Sequence, residues 1–246
     1  MAAGNASSQG NATIAARTLS PDWFFDLSRT AHRELLEGRR FVWDAVRDLE
    51  DYVREKARRQ IKGQVSPGAW VVGDVYVGDG ARIEPGAVIV GPAIIGDGCE
   101  IRGHAYVRPF VIVGEDSIIG HACEVKNALI FPECELPHFS YVGDSILGYR
   151  SHLGAGVMVS NVKINGEPID VLVNGQRIAT HLEKFGAVIG DYVEIGCNTV
   201  VNPGTLIGPR TLAIAGLSLR GTYPPDAFIK SNDADGVVPR RPHRRE

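Results

Sequence analysis

From Val65 a branched aliphatic residue recurs at every sixth position: Val71, Val77, Ile83, Ile89, Ile95, Ile101, Val107, Val113, Ile119 and Val125. Four places after each stands a second column, Ala69, Val75, Ala81, Ala87, Ala93, Cys99, Ala105, Val111, Ser117 and Cys123, whose members are all small. A period of six fits neither a helix nor a single flat strand. It fits a coil of three short strands, which points every sixth side chain into one narrow interior and leaves a tight corner for the small column. Gly, Asp, Asn and Pro fill the places between, as in Val77-Gly78-Asp79-Gly80 and Ile95-Gly96-Asp97-Gly98, and supply a turn once per strand. The spacing predicts an all-β solenoid of hexapeptide repeats.

Such a coil explains the 29 glycines among 246 residues without invoking disorder, and 44% hydrophobic content is enough for one elongated core. A net charge of -3 gives no reason to expect nucleic acid or an anionic membrane as partner. The four cysteines have neither zinc-site spacing nor the density of a disulfide scaffold, which points to a reducing cytoplasm. No apolar run approaches the ~20 residues of a membrane helix, and the first residues lack the pattern of a signal peptide.

Met1 to Ser20 is small, polar and aperiodic, and is expected to be a disordered tail. Ser20-Pro21-Asp22 reads as a helix start, and Val42, Val46, Leu49, Val53 and Ala57 form a one-sided helical stripe opposite Arg47, Asp48, Asp51 and Arg54. With the aromatics Trp23, Phe24, Phe25 and Trp43, residues 21–62 are expected to form a helical cap over the open edge of the first coil. The solenoid is placed at 63–222. Past Val125 its count stumbles at Phe131-Pro132-Glu133-Cys134-Glu135 and resumes at Val142, Leu147, Leu153 and Val159, with one five-residue step. Residues 163–184 break it again, and Asn174-Gly175 between apolar runs predicts a β-hairpin there. The count restarts at Ile189 and runs to Leu219, and 223–246 reads as a tail ending in a basic cluster from Arg240 to Arg245. Interruptions in solenoids often mark the binding face, so the chemistry is sought at these two.

Glu124-Val125-Lys126-Asn127, His138-Phe139-Ser140-Tyr141-Val142-Gly143-Asp144, Leu153-Gly154-Ala155-Gly156 and Asn161 resemble the acetyltransferase half of the bifunctional sugar-1-phosphate nucleotidylyltransferase and glucosamine-1-phosphate N-acetyltransferase family. The resemblance spans Val65 to Leu219 and implies a left-handed parallel β-helix, a homotrimer with sites between subunits, and acetyl-CoA as co-substrate. It implies His138 as the base that deprotonates the sugar ammonium, a task suited to an imidazole because that group can be neutral at working pH. Ala155 stands where the family places a backbone N–H near the thioester oxygen, and Cys197 and Ala215 lie on the coils that receive coenzyme A. Arg108, Lys126 and Lys184 match the phosphate contacts, and Tyr141 and Asn161 the sugar contacts. Arg108 and Lys126 are eighteen apart, one coil, which by itself lets them converge, although taken alone they read equally well as solvated charges.

The chain departs from that pattern at His152, where the bacterial enzymes carry Asn, at Cys197, which replaces Ser, and at Val162-Lys163, which replaces Tyr-Asp. The nucleotidyltransferase half has no counterpart here, so this chain is not expected to make a nucleotide sugar. The reading is an acyltransferase moving acetyl to the amine of a hexosamine 1-phosphate or related sugar phosphate. The alternatives are a non-catalytic trimeric scaffold and a zinc enzyme of the carbonic-anhydrase type, also built on left-handed β-helices. The last would use His104, His121 and His138, which are seventeen apart. One residue short of a coil, these should slip out of line, so no metal is expected.

Overall fold

The inward column folds as its period requires. The structure, a computed structural model, describes residues 19–233 and 236–240. Short parallel strands stack coil upon coil on three faces, and every inward residue from Val77 to Val125 is fully buried. Each buried branched aliphatic contributes about 1.5–3 kcal/mol. On face A lie Ala93–Ile95, Val111–Val113 and Ala187–Ile189; on face B, Glu100–Ile101, Ile118–His121 and Glu135–His138; on face C, Tyr106–Val107, Met158–Val159 and Val200–Val201. The predicted all-β solenoid is therefore observed.

Between faces B and C the chain turns through a left-handed residue in successive coils: Gly68, Gly86, His104, Ala122, Phe139, Gly156, Asn198 and Gly216 all have positive φ. Glycine and asparagine suit that place, whereas Phe139, at φ 54, is a bulky residue held in it.

The first stumble in the count is a shortened corner rather than an inserted loop. Val113 pairs with Ile130 and Val125 with Val142, seventeen residues on, because the turn from face C to face A loses one residue twice in succession. Glu124–Ile130 and Tyr141–Leu147 consequently run as continuous seven-residue strands across both faces.

The N-terminal segment does not cap the first coil. The helix Asp44–Lys56 packs on the flank, against the strands Glu124–Ile130 and Tyr141–Leu147. Phe25 stacks on Phe131 at 4.9 Å, and Trp43 lies 6.4 Å from Phe185. The outward residues Ile112, Leu129, Ile146, Val188 and Leu206 of face A are fully buried in consequence. Trp70 at the edge of the first coil remains 68% exposed. The expected tail lies largely outside the described residues, but Leu19 is fully buried and its carbonyl accepts the Val42 N–H.

The hairpin consists of Ile169–Val173 and Gln176–Leu182, antiparallel, with Asn174 and Gly175 both at positive φ. At its base the Phe185 N–H donates to the Asn161 carbonyl at 3.0 Å, pinching the insertion off from the coil. The solenoid also continues beyond Tyr223, where it was expected to end. Ala227–Ile229 pairs with Leu212–Ala213, and Val237–Pro239 closes that edge antiparallel. The basic cluster past Arg240 lies outside the described residues.

Candidate active site

The four residues assigned to base, oxyanion and coenzyme roles fall in one line along the corner between faces B and C. The Gly156 N–H donates to the His138 carbonyl at 3.0 Å, the Asn198 N–H to that of Ala155 at 2.9 Å, and the Gly216 N–H to that of Cys197 at 2.9 Å. His138, Ala155, Cys197 and Ala215 thus occupy the same place in successive coils, each step being about 4.8 Å. His138, Cys197 and Ala215 are exposed and Ala155 is half-buried, so the line is open to a long ligand laid along the solenoid axis.

The substrate-binding candidates gather towards the opposite corner, between faces C and A. Val107 pairs with Val125, which stacks Arg108 on Lys126 as their spacing requires. Each cation already has a carboxylate partner. Arg108 donates to Glu124 at 2.8 Å, and the Lys126 ammonium lies 3.3 Å from Asp144. Asp144 is buried and also accepts from the side-chain amides of Asn127, at 2.8 Å, and of Asn161. The expected open phosphate clamp is therefore an internally paired cluster. Lys184 is exposed and has no ion pair among the described residues, and it directly precedes the Phe185 that closes the hairpin base on Asn161. Asn127 Oδ1 is buried without a partner.

Tyr141 lies between the two corners, on face C. Burial, and then the carboxylates of Asp144 and Glu124, push its phenol above the ordinary value of 10, with Arg108 and Asn161 pulling the other way. Its hydroxyl remains a donor at neutral pH. His138 ends the face B strand, whereas Gly143, the partner of Lys126, lies on face C past the corner at Phe139, so base and clamp stand on different faces of one chain.

Sequence reasoning assigned no role to Glu124, Asn127 or Asp144. They stand within the quoted motifs, but what they hold comes from neighbouring coils. The histidines also differ from expectation. His121 and His138 are direct strand partners, because the shortened corner restores the register that the slip was expected to destroy. His104 occupies the left-handed corner place instead, with its ring 5.7 Å from that of His121. Among the described residues no group of three or more His, Cys, Asp or Glu is placed to hold a metal ion. Nor is any helix among them long and apolar enough to cross a membrane.

A cleft of about 490 Å³ opens at the far end of face C, between Ser160, Asn202 and Arg220 of the coils and Lys163, Asp170 and Arg177 of the hairpin segment. None of the residues assigned a catalytic or binding role from the sequence lines it, but Val162 and Lys163, where the chain departs from the family pattern, do. Ser160 lies one coil beyond Gly143 in the Lys126 column, so the cleft continues that column without reaching the His138 corner.

The sequence model of the GMPPB C-terminal domain matches residues 89–215. The bifunctional protein GlmU of Methanococcus vannielii is 34% identical over 191 residues, covering 78% of this chain and 46% of the relative. The uncharacterized acetyltransferase YaiX of Escherichia coli O6:K15:H31 is 34% identical over 167 residues, covering 67% of this chain and 72% of the relative. The chain spans about half the length of the GlmU relatives it matches. Among solved structures, a UDP-N-acetylglucosamine acyltransferase of Francisella novicida is similar with a TM-score of 0.48 at 14% identity, covering 71% of this chain and 64% of that one.

Proposed function

Since the chain belongs to the family of the GMPPB C-terminal domain, we propose that it transfers acetyl from acetyl-CoA to the amine of a hexosamine 1-phosphate or a related sugar phosphate. The observation that carries this reading is the single line of His138, Ala155, Cys197 and Ala215. A thioester lying along that corner would meet a base, a backbone N–H and the coenzyme contacts in successive coils. His138 takes a proton from the amine, and the Ala155 N–H faces the oxyanion that forms as nitrogen attacks the thioester carbon. Two relatives whose names say acetyltransferase support the same chemistry. The left-handed sense of the coil comes with the family.

Acceptor binding is assigned to Arg108, Lys126, Tyr141, Asn161 and Lys184. The paired state of Arg108 and Lys126 makes Lys184 the cation that meets an incoming phosphate first, with Lys126 contributing because its partner Asp144 is shared with the amides of Asn127 and Asn161. The placement of base and clamp on different faces of one coil favours sites completed by a second copy of the chain, as in a homotrimer. Exposed apolar side chains on face C support that assembly: Tyr106 is 41%, Met158 44% and Val200 40% exposed. The working compartment is taken to be the cytoplasm, where acetyl-CoA and free thiols coexist.

Release of coenzyme A thiol from acetyl-CoA, followed against a panel of hexosamine 1-phosphates, tests the reading. Turnover that requires the amine supports it. A chain that sediments as a trimer yet turns over no amino sugar would instead favour the scaffold alternative, to which the internal pairing of both clamp cations lends weight.

A further inference from the structure

Acetyl transfer to an ammonium must dispose of two protons. R–NH3+ and acetyl-S-CoA become R–NH-acetyl, HS-CoA and one free proton, so two N–H bonds break while one S–H bond forms. A single imidazole carries one proton at a time, and the structure places a second histidine at the paired position of the neighbouring coil.

His121 stands one coil before His138 and pairs with it directly, so both side chains leave the same side of the sheet with Cα atoms about 4.8 Å apart. The His121 Nδ1 lies 2.8 Å from the Gly103 carbonyl oxygen. A carbonyl only accepts, so Nδ1 carries the hydrogen and the neutral ring presents its lone pair at Nε2. That fixed tautomer is what a proton acceptor needs, and the residue is exposed. The Phe139 ring meets both imidazoles, edge-on to His121 at 5.3 Å and tilted to His138 at 6.4 Å. The strained backbone of Phe139 falls at this same place. The groups facing His121 from neighbouring coils are few. They are the His104 ring, His138 as strand partner, and Glu84, which accepts the Gly103 N–H at 2.8 Å; nearby Arg102 is held by Glu100 at 2.8 Å.

We propose that His121 is a second catalytic base of the acetyl-transfer site; the role rests on the function proposed above. His121 Nε2 takes a proton from the sugar ammonium and leaves a neutral amine. The amine nitrogen then forms the C–N bond to the thioester carbon, and the carbonyl electron pair moves to oxygen. His138 takes the proton from the nitrogen, which is now cationic. Collapse of the intermediate breaks the C–S bond with its electron pair leaving on sulfur, and His138 protonates that thiolate. His121 returns its proton to water.

The test is the pH profile of kcat/KM for the full chain, His121→Asn and His138→Asn, with acetyl-CoA and a hexosamine 1-phosphate. Asparagine can still donate to the Gly103 carbonyl, so it keeps the structural contact and removes only the proton acceptor. His121→Asn is expected to lose about tenfold near pH 6.5 and to recover above about pH 9, where a sugar amine titrating near an α-amino group, at about 8, is already neutral. His138→Asn is expected to fall by about 10²–10⁴ at every pH. A His121→Asn profile parallel to that of the wild type, whether unchanged or uniformly lowered, overturns the second-base role while leaving acetyl transfer intact. Absence of amine-dependent turnover by the wild-type chain overturns the acetyl-transfer reading itself, and this role with it.

Discussion

The Lys126 ammonium stands 3.3 Å from the carboxylate of Asp144, which is only 6% exposed, so the most buried cation of the candidate site is held by a partner one coil away. Removing that carboxylate strands a poorly hydrated charge and frees two amides. Asp144→Ala is expected to cost about 3 kcal/mol in urea unfolding, and adding Lys126→Met should restore part of the loss. Equal stability of the single variant and the wild type would mean that the pair contributes nothing.

The N-terminal segment is latched to the solenoid by Asp191, whose two carboxylate oxygens accept the backbone N–H groups of Asp26 at 2.7 Å and Tyr149 at 2.8 Å. Burial outweighs those donors and raises its pKa from 3.8 to about 6. The folded state thus binds the proton more tightly than the unfolded chain. The resulting stabilisation is fully present below about pH 3.8 and is lost as pH rises through about 6. Asp191→Asn should abolish that slope in thermal unfolding between these limits. It should also loosen residues 21–29 in hydrogen exchange, because its NH2 opposes one of the two N–H donors. An unchanged slope in the variant would assign the pH dependence elsewhere.

Of four cysteines, only Cys197 is exposed. Burial pushes the Cys99 and Cys134 thiols up to about 12 and raises that of Cys123 as well. A maleimide at neutral pH should therefore label one site per folded chain, at Cys197, and acetyl-CoA should slow the reaction several-fold. Labelling at an undiminished rate under saturating acetyl-CoA would remove Cys197 from the coenzyme path.

Gly175 adopts φ 79 in the hairpin turn, and a methyl group added there would meet nothing within 4 Å. Gly175→Ala should cost only the conformational preference, about 1 kcal/mol. The loss should be confined to the hairpin in hydrogen exchange. Loss of protection throughout the solenoid would show that the hairpin is not a local unit.

What was legible in the sequence was whatever repeats. The inward column from Val65 and the Asn174-Gly175 turn each state a local geometry, and both appear in the structure. The covering of face A was also written there, in apolar triplets such as Val111-Ile112-Val113 and Ala187-Val188-Ile189. These bury both sides of a strand, but counting in sixes follows only the inward one. The stacking of Arg108 on Lys126 follows from their spacing of one coil, whereas the alignment of His121 with His138 depends on a corner that lost one residue. The Asp191 latch joins groups 165 residues apart, and the Asp144 cluster draws on three coils. Neither leaves a periodic trace, so side-chain partners across coils were hidden where the backbone register was plain.

The measurement that bears most directly on the proposed activity is thiol release from acetyl-CoA with a panel of hexosamine 1-phosphates, comparing the wild-type chain with His138→Ala. Amine-dependent turnover that falls by about 10²–10⁴ in the variant, with its fold and assembly unchanged, is the predicted result. Equal turnover in the two chains, or none with any amino sugar from a folded wild-type protein, would contradict it.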